Sequence, residues 1–590
     1  MKQFFKFVFA SCLGLFLAGI LLVVSLIAIG SSAMSGFGGS KHDVKANSVL
    51  TLKLDKVLPE KTNNSEVDFS LENTNLYGLN DIIAAIRKAK SDSNIKGILI
   101  EPGGLSNGKA TASTIRAELL DFKSSGKFIY SYGDYFTQED YYYASVADKI
   151  ILNPIGAIEF KGFGAIYTYF KDMLDRLNIE TQVFYVGQFK SATEPFRYNK
   201  MSDQNRTQVR EYLESLFSVY LNDISTSRKI PIEQLEQIAD GLKLKSAEDA
   251  KSLKFVDELG YESDLETMLK QRLGLKSDDK INKINIYDYC DNGLTPNDLK
   301  IKDKIAVIYA EGEIVDGKGT AGKVGDEKYV AMIRKIRKDN SIKAIVLRVN
   351  SPGGSAIASE NILRELELAK KDGKPVVVSM GDVAASGGYY ISCLADSIFA
   401  QKNSITGSIG VFGIIPSIHD FMKSKIGITY DSVKTNTHAT GINAIYKADP
   451  LEAEVIQSNI NSIYKKFLQR VSSGRHKTED QIHEIAQGRV WTGEKALQIG
   501  LVDKIGSLDD AVVCAANLAK LKKYRKTEYP RSKEPIQQLI EKITKMDEDD
   551  IKTKFISSEL GELAPFYLQL KQINQMKGAQ MRMPFDIQIK

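Results

Sequence analysis

Apolar residues follow three patterns along this chain. From Phe7 to Ile29 (FVFASCLGLFLAGILLVVSLIAI) they run without a single charge, directly behind Lys2 and Lys6. That run reaches the ~20 residues a bilayer-spanning helix needs and exceeds the roughly 7–15 apolar residues of a signal-peptide core. An uncleaved transmembrane anchor is therefore predicted, with cleavage after Ala33 as its alternative. The lysine-bearing end stays cytoplasmic and the chain beyond residue 35 lies on the other side. Elsewhere, short β-branched runs such as KIAVIYAEG (304–312), KAIVLRVN (343–350) and KPVVVSMGD (374–382) alternate with stretches of helical spacing such as ENILRELELAKKDG (360–373), which stops on a glycine. Strands alternating with helices predict an α/β class built on parallel sheet. Residues 203–225 and 451–473 read as long amphipathic helices, and 521–590 as a charged, mostly helical tail.

The pattern is written twice. IRKAKSDSNIKGILI (86–100) answers to IRKIRKDNSIKAIVL (333–347), EPGGL to SPGGS, and AEDAKSLKFVDELG (247–260) to GEKALQIGLVDKIG (493–506), all at an offset near 247. At the usual ~150 residues per domain, 590 residues would make four domains, but a repeat of this period makes two. The predicted organisation is an anchor region 1–35, a first repeat 47–285, a second repeat 300–520 and the tail 521–590.

The repeats differ most where GDYFTQEDYYYAS (133–145) faces GDVAASGGYYIS (381–392): Gln138-Glu139-Asp140 stands against Ser386-Gly387-Gly388. Ser386 falls between a predicted strand and a predicted helix, where a serine serves either as an N-cap or as a nucleophile with helix N–H donors beside it. Because the first repeat keeps the flanking residues without the serine, the fold does not require it. A serine hydroxyl needs a base. The first repeat offers Lys190 in VFYVGQFKSATEPF (183–196), and the matching stretch of the second, YDSVKTNTHATGIN (430–443), places Thr437 or His438 there. A free lysine, with pKa near 10.4, is neutral in only about one molecule in 2,500 at pH 7, so Lys190 is either a solvated surface residue or a base buried between the repeats.

Composition narrows the classes. With 26% charged residues, 43% hydrophobic residues and a net charge of +5, the chain is ordinary globular material without a basic footprint, and no nucleic-acid partner is expected. Cys12, Cys290, Cys393 and Cys514 are too scattered for a zinc site, the five histidines form no HExxH, and Gly353-Gly354 lacks the GxxxxGK[ST] of a phosphate loop. No metal or cofactor is expected.

FKSATEPF, NSPGG, ASGGYYIS, TGSIG and VWTGEKALQIGLVD together resemble the signal peptide peptidase A family in its long, tandem-repeat form, over nearly the whole chain from Lys2 to about Lys520. The resemblance implies tandem crotonase/ClpP-like α/β domains and a Ser/Lys-dyad protease. Ser386 would be the nucleophile, Lys190 the general base and acid, and Ser408 the residue that orients the lysine. The N–H groups of Gly354 and Gly387 would form the oxyanion hole, with Gly353 shaping the turn. It further implies a homotetramer in the bacterial cytoplasmic membrane, its catalytic domains on the periplasmic side, acting on signal peptides left in the bilayer. Val411, Phe412 and Ile414 are candidates for an apolar groove. Two alternatives stand beside this: a crotonase-like acyl-CoA lyase or hydratase, and a catalytically silent membrane scaffold.

Overall fold

The β-branched runs of the two repeats form the centres of two sheets in a computed structural model, which describes residues 44–62, 77–291, 300–320, 322–531 and 578–583, with positions 14 and 564 singly. The first repeat supplies β1 (Ser48–Lys53), β2 (Ile95–Glu101), β3 (Phe128–Phe136), β4 (Lys149–Ile158), β5 (Glu180–Val186), β6 (Glu258–Leu259) and β7 (Asn282–Asn285). The second supplies β8 (Lys304–Glu311), β9 (Ile314–Val315), β10 (Val324–Gly325), β11 (Ile342–Ser351), β12 (Gly353–Ser355), β13 (Val376–Ala385), β14 (Ser397–Ala400), β15 (Ile405–Gly407), β16 (Val411–Ser417), β17 (Val490–Thr492) and β18 (Lys504–Ile505). The tail adds β19 (Arg525–Tyr529) and β20 (Gln580–Arg582).

Sheet one runs β6-β4-β3-β2-β1-β7, parallel throughout. Sheet two runs β17-β15-β13-β11-β8-β19, with β14 beside β13 and β18 beside β14, and only the β15–β17 pair is antiparallel. Helices lie against these sheets, so the central strands are buried on both faces and read as continuous apolar runs instead of alternating ones. Ile82, Ile86, Ile115 and Leu119 enter the first core from helices Leu79–Ser91 and Lys109–Lys123, and Ile333, Ile336, Ile362 and Leu366 enter the second from Asp326–Lys338 and Ala356–Lys371. The two long helices, Asp203–Arg228 and Pro450–Arg475, stand where the apolar spacing puts them.

A third sheet, β10-β9-β12-β20-β16-β5, joins the repeats. Its edge strand β5 leaves the first repeat and pairs antiparallel with β16 of the second along its whole length, from Val186 opposite Val411 to Glu180 opposite Ser417. Two buried polar contacts fix the same interface. Arg348 donates two hydrogen bonds, 2.8 and 3.1 Å, to the Glu60 carboxylate. Asp382 accepts from the Thr111 N–H and hydroxyl, each at 2.7 Å, capping from the second repeat a helix whose own N-cap, Gly108, has no side chain to do so. Removing Glu60 or Thr111 alone would leave Arg348 or Asp382 buried without its partner, a loss that costs several kcal/mol for a buried ion pair.

The tail departs from the helical expectation in its described pieces. Arg525–Tyr529 is an edge strand parallel to β8, and Gln580–Arg582 is a strand of the third sheet. Charges in RKTEY disguise an edge strand, where they suit the solvent side, and three residues are too few to show a period. The predicted anchor, 7–29, lies outside the described residues, and among those described no helix is long and apolar enough to cross a membrane.

Candidate active site

Ser386 sits where β13 hands over to the helix Gly387–Tyr390. Its N–H donates to the Gly407 carbonyl on the neighbouring β15 at 2.8 Å, and its backbone has φ 55° and ψ −112°. An N-cap serine has extended backbone and accepts a hydrogen bond from the first helical turn. Ser386 makes no such bond. It occupies instead a region that costs a non-glycine residue on the order of 1–3 kcal/mol, and the turn spends that strain on aiming the hydroxyl at Lys190.

Lys190 follows β5 across the interface. Phe189 donates its N–H to Gln487 of the second repeat at 2.9 Å, and Lys190 its own to Gly187 at 3.1 Å. The two backbones touch so closely that a Cβ on Gly488 would stand 2.7 Å from Lys190 Cα. Gln208, on the helix Asp203–Arg228, ties the turn down from behind: its amide donates to the Phe189 carbonyl at 3.1 Å, and it accepts from the Val490 N–H at 3.2 Å. No motif marked Gln208; only its buried position on a polar stretch of the helix could have drawn notice.

Lys190 Nζ lies 3.0 Å from Ser386 Oγ, 3.0 Å from Ser408 Oγ and 3.2 Å from the Ser408 carbonyl. All three residues are essentially inaccessible to water. Burial, with no carboxylate to oppose it, holds the Lys190 pKa well below that of a free lysine. A neutral amine has two N–H donors and one lone pair. The carbonyl must take one N–H, so one of the two serine hydroxyls can donate its proton to the lone pair. Phe412 closes the site with its ring 5.9 Å from Nζ. Val411 is buried in the second core, and Ile414 packs toward Phe170, Leu174 and Phe196.

Gly353 and Gly354 open β12 with φ 98° and 156°. At Gly354 a Cβ would meet the Ile314 carbonyl oxygen at 2.0 Å, so only glycine fits. A Cβ on Gly387 would stand 3.1 Å from the Gly354 nitrogen, which puts both backbones beside one small volume next to Ser386.

The stretch holding Thr437 and His438 forms no strand opposite β5; β16 takes that place, and residues 428–447 make an exposed loop. His438 Nδ1 lies 2.9 Å from Asp449 and 3.6 Å from Glu452, two carboxylates that cap the helix Pro450–Arg475. These are the sole trio of converging metal-type ligands among the described residues, with His438 exposed and the two carboxylates half-buried.

In the first repeat, Thr137 takes the turn position of Ser386, since Tyr141 N–H bonds its carbonyl as Tyr390 N–H bonds that of Ser386. Tyr141 and Tyr389 each donate a hydroxyl to a backbone carbonyl, of Phe255 and Leu501. The second repeat is thus one residue shorter between turn and tyrosine, and the pairing of Gln138 with Ser386 shifts by one. Thr137 is a regular N-cap in a capping box with Asp140, and the Asp140 carboxylate accepts the N–H groups of Gly103 and Gly104 at 3.0 and 3.1 Å.

The profile of peptidase family S49 matches the chain twice, over residues 121–276 and 368–522. The chain belongs to peptidase family S49. Its S49 relatives include Protease 4 of Salmonella typhi, 39% identical over 524 residues that cover 85% of this chain and 84% of the relative. Protease 4 of Haemophilus influenzae is 36% identical over 85% of this chain and 83% of its own. The chloroplastic serine protease SPPA of Arabidopsis thaliana is 31% identical over 74% and 64%. This S49 chain is a serine protease with two copies of the family unit, which sets aside the acyl-CoA lyase and silent-scaffold readings.

Proposed function

We propose that Ser386 and Lys190 are the catalytic dyad of this protease. The Ser386 hydroxyl attacks the peptide carbonyl carbon while its proton passes to Lys190 Nζ. Charge developing on the carbonyl oxygen is met by the N–H groups of Gly354 and Gly387, the type of stabilisation worth about 3–4 kcal/mol per donor. Lys190 then protonates the leaving amine, and water resolves the ester by the same route in reverse. Ser408 holds the amine in line. The 3.0 Å contact between Lys190 Nζ and Ser386 Oγ, both side chains buried, carries this reading.

The proposed substrates are apolar, extended peptides, foremost signal peptides remaining in a bacterial cytoplasmic membrane. A Phe7–Ile29 anchor would tether the two crotonase/ClpP-like units on the periplasmic face as a homotetramer. The apolar run, the resemblance of the motifs and the bacterial relatives support it. Ser386→Ala and Lys190→Ala should each abolish hydrolysis of a fluorogenic apolar peptide while the circular dichroism spectrum stays that of the parent. Full activity in Lys190→Ala would remove the dyad. Deleting residues 1–35 should move the protein from the membrane fraction to the soluble one.

A further inference from the structure

In the stretch FKSATEPF two ionisable side chains are buried, Lys190 and, four residues on, Glu194. A buried carboxylate is costly unless donors surround it. Glu194 has three: the Ser202 hydroxyl at 2.5 Å, the Ser202 N–H at 3.3 Å and the Asn205 amide at 2.9 Å. It is not a counter-ion to Lys190, whose pKa is shifted by burial alone.

From Glu194 the hydrogen bonds run on in one direction. Ser202, Asn205 and Gln208 stand three residues apart, from the N-cap into the helix Asp203–Arg228, and so share one face. Asn205 gives its NH2 to the carboxylate, and its oxygen accepts from the Gln208 amide at 3.0 Å. The same Gln208 nitrogen faces the Phe189 carbonyl and the Ser191 hydroxyl, each at 3.1 Å, on either side of Lys190. The Gln208 oxygen accepts from the Val490 N–H of the second repeat at 3.2 Å. Both ends leave no choice, because a carboxylate and a carbonyl only accept and a backbone N–H only donates. The amides between them have one orientation that satisfies every member, and a satisfied buried network is rigid.

The second repeat lacks this row. Its helix Pro450–Arg475 also has 26 residues, and Asp449, Glu452 and Val455 take the places of Ser202, Asn205 and Gln208. There the two carboxylates cap their own helix, and Val455 is 60% exposed. The fold builds the helix without the network, and the network stands only in the copy that carries the lysine.

We propose that Glu194 is a positioning residue for the reaction: through Asn205 and Gln208 it fixes the turn Phe189–Ser191 against Val490 and so keeps Lys190 Nζ on Ser386. The proposal rests on the reading of Lys190 as the base given above.

Full-length Gln208→Met, close in size to the parent but without an amide, should lower kcat for an apolar reporter peptide by about tenfold to a hundredfold, the scale of a displaced catalytic group, with KM within about twofold. The acid limb of its pH–rate profile should move to higher pH, because a loosened turn admits water to Nζ. Glu194→Leu should do the same. Glu194→Gln should recover most of that loss, since its oxygen still accepts from Asn205 while its NH2 turns to the Ser202 hydroxyl. Hydrogen exchange of the amides of residues 187–193 should rise in Gln208→Met and Glu194→Leu and stay near parental in Glu194→Gln, a readout that does not depend on catalysis. Parental exchange in Gln208→Met, or equal damage in the two Glu194 variants, overturns the relay. A lowered kcat with an unmoved acid limb makes the network merely structural and overturns its part in the reaction. Raised exchange with parental kcat overturns that part too, and with it Lys190 as the base.

Discussion

At the end of the same strand the two repeats make different turns. The first passes through Thr137 into a helix closed by a capping box, and Asp140 of that box also satisfies the N–H groups of Gly103 and Gly104. The second is one residue shorter, passes through Ser386 at φ 55° with no cap, and leaves its glycine donors facing the tail strand. The first turn is what the fold prefers when stability alone decides, and the second carries strain that stability does not explain. Duplication lets one copy keep the relaxed turn and give its strand β5, and with it Lys190, to the strained one.

The largest difference is expected at Ser386, the proposed nucleophile. Ser386→Ala should lower kcat by about 10³-fold or more, on the scale of other nucleophile deletions, whereas Thr137→Ala should leave kcat within about twofold and cost roughly 1 kcal/mol of stability through the lost cap. Steady-state kinetics and thermal melts on both variants separate the two roles. The paired glycines come next. Gly354→Ala, with its Cβ 2.0 Å from the Ile314 oxygen, should lose about 10²-fold or more in activity together with stability. Gly104→Ala meets open space, and its φ of 72° costs only about 1–2 kcal/mol. Equal losses of kcat in the two would erase the distinction between the copies.

Ser408→Ala should slow turnover by about tenfold to a hundredfold, the scale of a misplaced catalytic group, and should shift the acid limb of the pH–rate profile because the amine loses a partner. The sign of that limb follows from Lys190. Its folded pKa is depressed by burial, so activity falls as pH drops through that depressed value. Stability moves the same way: the unfolded lysine binds a proton that the folded one refuses, so stability declines from the unfolded pKa down to the folded one and is flat below it. Lys190→Met should melt higher than the parent at neutral pH, by a margin that shrinks as pH rises toward 10. Asp140→Asn has the smallest expected effect on turnover. It should cost about 1–3 kcal/mol through weakened acceptance of two buried N–H groups, read in the melting temperature, with kcat retained.

Much of this was legible because the sequence contains its own control. Repetition exposes Ser386 as a residue that the fold can do without, and the β-branched runs are the central strands with ends displaced by at most three residues. What stayed hidden is non-local. Residues 430–443 align with the Lys190 stretch in sequence, but the strand that meets β5 is β16, because pairing across the interface obeys sheet edges and not repeat register. Pairing Gln138 with Ser386 by sequence is one residue out of step with the turn, since a one-residue deletion is invisible where Gln138, Glu139 and Asp140 share no identity with the glycines. Gln208 and β20 act through single buried contacts and a three-residue pairing, which leave no periodic trace.

The bridging strand β5 also makes the enzyme's chemistry late. As synthesis runs from the N-terminus and domains fold in that order, the first repeat appears with a lysine that has no partner strand, no cover from Phe412 and an ordinary ammonium charge. Only when β16 and the segment around Gly488 close on it does burial pull its pKa down. The proposed base is thus a product of the completed assembly, and on that reading a half-made chain carries a protease's parts without being able to cut.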